Sequence, residues 1–138
     1  MSRRHVTHRT VIHAWMCDHF GHLNVRFYGN IFDDASFALW SMCEVSPATF
    51  KAAGVHMVVA RTETDFLQEL LPGRVVAVRS WFERLGTKSV TYRQELVDQD
   101  TETVHARQRA VEVFFDPQTR ASREIPPSIR ALLEAQLA

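Results

Sequence analysis

From about Val25 to about Val45 the apolar residues Phe27, Tyr28, Ile31, Phe32, Ala35, Leu39 and Met42 recur at three- and four-residue intervals, the stripe of a helix. Phe37, Ala38 and Trp40 widen the stripe, and a helix apolar over so much of its circumference is predicted to be wrapped by other structure, here a curved sheet. On either side the pattern changes to runs rich in β-branched and aromatic residues. His5 to His13 reads as a strand. Ser46-Pro47 to Gly54 reads as a break holding a short helical turn, begun by Pro47 and stopped by Gly54. Four more strands are predicted at Met57 to Leu71, Arg74 to Leu85, Ser89 to Val97 and Val104 to Phe115. Pro72-Gly73, Leu85-Gly86-Thr87 and Asp98-Gln99-Asp100 are turn signals between them, so an antiparallel meander is expected. In the last strand Val104 and Ala106 lie on one face and Val111, Val113 and Phe115 on the other, which predicts a bulge or a change of burial midway. Ile125-Pro126-Pro127-Ser128, then Ile129, Leu132, Leu133 and Leu137, predict a terminal helix.

The length of 138 residues fits one domain, 1–138, and the 46% hydrophobic and 23% charged content is that of a water-soluble globular protein. No segment approaches the ~20 apolar residues of a membrane span. The N-terminal residues lack the apolar core of a secretory signal, so a cytoplasmic protein with Cys17 and Cys43 reduced is expected. A formal charge of +0 argues against a nucleic-acid partner and requires any anionic ligand to be met by a local patch.

Between the first strand and the helix lies Asp18-His19-Phe20-Gly21-His22-Leu23-Asn24, with Tyr28 four residues beyond. This stretch resembles the Asp-x-x-Gly-His-x-Asn-x-x-x-Tyr signature of the 4-hydroxybenzoyl-CoA thioesterase family, and Asp18 falls on that family's catalytic aspartate. The similarity continues through Glu63-Thr64-Asp65-Phe66-Leu67 with Pro72-Gly73, Leu85-Gly86-Thr87-Lys88-Ser89, and Val113 through Pro126, covering nearly the whole chain. One departure is visible: many relatives carry two asparagines after the Gly-His pair, whereas Val25 follows Asn24 here, which bears on the acyl pocket beside the helix start. The resemblance implies an α+β hot-dog fold, a curved antiparallel sheet wrapped around a long central helix. It also implies an acyl-CoA thioesterase that is a homodimer or homotetramer with sites between subunits.

Thioester hydrolysis requires a nucleophile or base and a donor for the developing oxyanion, without metal or cofactor. Asp18 can attack the carbonyl to give an anhydride or deprotonate a water. Free backbone N–H groups at a helix beginning near Val25 would supply the oxyanion donor. His22 is read as a hydrogen-bonding brace in preference to an acid–base partner. Asn24 either orients the substrate carbonyl or lytic water, or caps the helix. Tyr28 completes the catalytic set that the resemblance implies, and Gly21, Val25 and Glu63 are carried over as substrate contacts.

For the CoA phosphates the first candidates are Arg84, Lys88 and Arg93, flanking one turn, with Ser89 as a hydroxyl donor. Arg61, Arg74, Arg120 and Arg123 are next. Among the seven histidines no zinc-like spacing occurs, and no metal is expected. Trp15, Trp40, Trp81, Phe20, Phe27 and Phe37 are expected mainly in the core, some lining an acyl pocket. Two other readings remain: a non-catalytic module binding acyl-CoA or an acyl carrier, and, ranked last, a hot-dog hydratase.

Overall fold

A computed structural model describes residues 2–137. Its strands are β1 (His5–Val11), β2 (His56–Phe66), β3 (Val75–Leu85), β4 (Ser89–Asp98), β5 (Val104–Asp116) and the short β6 (Ala121–Ser122). The helices are α1 (Val25–Met42), α2 (Pro47–Ala53) and α3 (Pro127–Leu137), with one 3-10 turn at Ala14–Met16. All the pairings are antiparallel, and the sheet order is β1-β3-β4-β5-β2, with β6 on β5. One sheet curled around α1 is the α+β hot-dog arrangement.

The meander expectation holds for β3-β4-β5 and fails for β2. The chain carries β2 to the far edge, where His56 to Phe66 pairs with Phe115 to Ala106 of β5. The strand also stops at Phe66, short of Leu71. From there the chain turns inward, the N–H of Leu67 donates to His105 O, and Leu70 becomes fully buried.

The fifth strand carries the irregularity expected of it, near its start in place of midway. A register shift does occur, with Leu96 and Val97 of β4 facing Ala106 and Val104. The face turned to α1 then carries Ala106, Gln108, Ala110, Glu112 and Phe114, of which Ala106, Ala110 and Phe114 are buried. Val111, Val113 and Phe115 sit half-buried on the outer face. Polar Gln108 and Glu112 on the inner face are what concealed the alternation.

Two apolar clusters pack along α1. Near its N-terminus Tyr28, Ile31, Phe32 and Ala35 meet Ile12, Leu70, Val76 and Leu96. Near its C-terminus Leu39, Trp40 and Cys43 meet Phe82, Phe114, Ile129 and Leu133. Between them a polar row crosses five strands. Thr7 and Ser80 share a hydrogen bond of 2.7 Å, Gln108 donates to Gln94 at 3.1 Å, and Thr64 donates to Gln108 at 2.9 Å.

The sheet does not enclose α1. Phe37 is 71% exposed, and β2 has no residue in the buried class. Trp15 and Phe20, expected in the core, are also 71% exposed, whereas Trp40 is buried. An open groove therefore separates the C-terminal half of α1 from the edge strand.

Candidate active site

The segment before α1 is folded on itself by backbone bonds. The N–H of Asp18 donates to His22 O at 2.9 Å and that of Gly21 to Asp18 O at 3.0 Å, while Cys17 and Leu23 bridge at its base. Gly21 adopts φ +84°, a left-handed conformation that strains any residue with a Cβ. Leu23 anchors the loop by donating to Leu70 O at 2.7 Å. Asp18 is thus held half-exposed at a turn, its Oδ1 accepting the N–H of Phe20 at 2.9 Å.

Asn24 is the N-cap of α1, and its Oδ1 accepts the N–H of Arg26 at 3.2 Å. Its own N–H donates to Met16 O, and Phe27 donates to Asn24 O. Val25 is left as the helix-start residue whose N–H has no partner among the described residues, and its side chain is 64% exposed. A free donor at the positive end of an 18-residue helix is a place for an oxyanion.

His22 meets Glu69 at 3.3 Å, a bracing contact between the loop and the segment leaving β2. Tyr28 is buried and edge-on to Phe66, with ring centroids 4.9 Å apart. Burial pushes its phenol up, so it packs beneath the loop as a neutral core residue. Burial and then the Asp18 charge raise the neighbouring Cys17 thiol.

The other anticipated contacts lie elsewhere in the protomer. Glu63 sits on the outer face of the sheet, paired with Arg61 at 3.1 Å and Arg109 at 3.9 Å, because its register partner is Arg109 and the inner face takes Thr64. Arg93 shares that face and is bound to Glu83 at 2.9 Å. Arg84 and Lys88 are exposed at the β3–β4 turn, whereas the Asp18 loop adjoins the opposite end of β3, where Ile12 donates to Arg74 O. The eleven residues of β3 separate those ends by roughly 30 Å. Ser89 folds against its own turn, so close that a Cβ on Gly86 would meet its Oγ at 2.7 Å.

Sequence reasoning missed a cavity of about 820 Å³ between the C-terminal half of α1, α2 and β2. Phe37, Trp40, Phe50, Val55 and Val59 give it apolar walls, and Asp33 and Glu112 also line it. Trp40 donates its indole N–H to Glu112 Oε2 at 3.1 Å. Burial raises the Glu112 carboxyl, an effect only partly offset by bonds from Trp40 and Tyr92. The signal available beforehand was one acidic residue inside the apolar run Val111-Glu112-Val113-Phe114. Among the described residues no group of three His, Cys, Asp or Glu side chains is arranged to hold a metal, and Cys17 and Cys43 are free thiols.

A family model described as the thioesterase-like superfamily matches residues 12–133, and the chain belongs to that family. Solved structures share the fold. A hypothetical protein of Staphylococcus aureus in complex with CoA is 19% identical with a TM-score of 0.87, over 99% of this chain and 85% of that one. YbaW, a probable thioesterase of Escherichia coli, is 18% identical with a TM-score of 0.83, over 97% and 100%. A 1,4-dihydroxy-2-naphthoyl-CoA thioesterase of Synechocystis is 13% identical with a TM-score of 0.82, over 96% and 98%. No protein among those with curated functions matches the chain significantly. No helix among the described residues is long and apolar enough to cross a membrane.

Proposed function

We propose that the protein hydrolyses an acyl-CoA thioester to the free acid and CoA, with Asp18 as nucleophile or general base and the N–H of Val25 as oxyanion donor. The observation that carries the reading is the juxtaposition, in one backbone-locked loop and helix start, of a half-exposed carboxylate and an unpartnered helix N–H. As the carbonyl carbon becomes tetrahedral its oxygen gains charge, which the helix terminus stabilises more in the transition state than in the ground state. The proton of the attacking water passes to Asp18 if the carboxylate acts as base. If it acts as nucleophile, water then opens the resulting anhydride. Asn24 fixes the helix start and His22 braces the loop through Glu69. The same reading places the protein in the cytoplasm with the CoA pool.

The unit of function in this reading is a homodimer formed through β2. Val58, Val59 and Phe66 are 47%, 55% and 53% exposed on an edge strand of eleven residues, a surface that pairing with a second copy would cover. Antiparallel pairing of two β2 edges about a two-fold axis reverses α1 between protomers. Each cavity beside the C-terminal half of α1 then turns toward the partner subunit's Asp18 loop, and Arg84 and Lys88 approach the partner's site in place of their own. Within one protomer the cavity is reached at Asp33, nine residues along α1 from Asn24 and roughly 14 Å away along the axis.

Release of free thiol from a panel of acyl-CoA thioesters tests this function against a binding module that kept the fold. Turnover is expected with at least one acyl class. Tight binding of acyl-CoA without thiol release would favour the binding module.

A further inference from the structure

The cavity beside α1 is mainly apolar, with polar side chains on its lining from Asp33, Ser36 and Ser41 of α1, Lys51 of α2, His56 of β2 and Glu112 of β5. Phe37, Trp40, Phe50, Val55 and Val59 surround a space of about 820 Å³, within the range of small-molecule sites. A carboxyl group in such a wall is costly unless it is hydrogen-bonded, and a plain aliphatic pocket would be better built without one. Here the carboxyl is held in place: Glu112 Oε2 accepts the indole N–H of Trp40 at 3.1 Å, and Trp40 is itself clamped edge-on against Phe82 and Phe114. Asp33 lies on the same lining, while Lys51 is exposed on α2 at its rim.

We propose that this cavity receives the acyl group and that Glu112 is a specificity-determining residue selecting acyl groups that carry an O–H or N–H donor near their far end. The inference rests on the thioesterase reading above. Carboxylate and carboxylic acid oxygens both accept hydrogen bonds, so a hydroxyl satisfies Glu112 in either form. An ammonium group gains in addition from the charge of Asp33 on the same lining. A chain ending in methyl displaces water from Glu112 and returns no hydrogen bond, and a site built around a donor rejects the analogue that lacks it. The indole bond fixes the direction of the carboxyl, so selection depends on where along the chain the donor falls.

The test uses non-hydrolysable CoA thioethers in a series of chain lengths, each length ending in methyl, hydroxyl or ammonium, with affinities measured by calorimetry on the full chain. At the best-fitting length the wild type is expected to bind the hydroxyl or ammonium analogue at least about tenfold more tightly than the methyl one. Glu112→Leu should abolish or invert that ranking. Glu112→Gln, which keeps an acceptor and the bulk of the side chain, should retain a preference for hydroxyl and lose any preference for ammonium; it decides the matter if the leucine variant does not fold. An unchanged ranking in the leucine variant, an ammonium-to-hydroxyl ratio in the glutamine variant equal to the wild type's, or a wild type that binds methyl most tightly, overturns the role of Glu112 alone. Failure of every CoA thioether to bind overturns the thioesterase reading with it.

Discussion

Gln94 donates from Nε2 to the backbone carbonyl of Phe32 at 3.0 Å, tying the middle of β4 to the middle of α1 within the polar row that separates the two apolar clusters. Its Oε1 accepts from Gln108, whose own Oε1 accepts from Thr64 on the edge strand. Gln94 is 1% exposed, so its own amide cannot turn to water instead, whereas Gln108 and Thr64 are half-buried. Gln94→Leu is therefore expected to strand the Gln108 amide and destabilise the fold by about 1–3 kcal/mol. Chemical denaturation of the two proteins with matched m-values checks it, and a loss below about 0.5 kcal/mol would mean that Gln108 finds other partners.

That row also marks where sequence reading stopped. The α1 stripe, the loop with Gly21 and the cap at Asn24 are local, so spacing and residue type located them to within a few residues. Gln94, Gln108 and Thr64 carry no signal of this row in the sequence, because nothing in their neighbours indicates that three strands place them opposite one another. The pairing of β2 with β5 in place of β3 is a long-range choice, invisible to turn signals. Arg84 and Lys88 were reasonable cations for CoA by type, but their position at the far end of β3 from Asp18 emerges only once the strands are laid side by side. Glu112 escaped notice because the Val111, Val113 and Phe115 face was the more apolar of the two.

The exposed β2 edge predicts a dimer. Light scattering at micromolar concentration should give twice the chain mass of 15.9 kDa, and Val58→Lys, which places a charge on that edge, should shift the equilibrium toward monomer and lower thioester hydrolysis in parallel. A fully active monomer would remove the shared-site arrangement.

Arg84 and Lys88 are predicted to act on CoA bound at the partner's Asp18. Changing both to Ala should raise KM for acyl-CoA much more than it lowers kcat, because contacts remote from the carbonyl are made alike in ground and transition states. Rising salt should weaken wild-type affinity and affect the double variant less. Mixing the double variant with an Asp18→Asn variant should restore a low-KM site, since one of the two sites in a hybrid dimer is then intact. If mixing restores nothing and neither KM nor salt response changes, the phosphates are held elsewhere, and Arg61, Arg74, Arg120 and Arg123 follow.

The central claim is that the Asp18 carboxylate performs the chemistry, and Asp18→Asn addresses it most directly. Asparagine retains an Oδ1 for the N–H of Phe20, so the loop and the melting temperature should be nearly unchanged. Removing the charge eliminates both the nucleophile and the general-base role, and kcat/KM for the best acyl-CoA of the panel is predicted to fall at least about a hundredfold. A folded Asp18→Asn protein that hydrolyses this substrate within a few-fold of the wild-type rate would contradict the account.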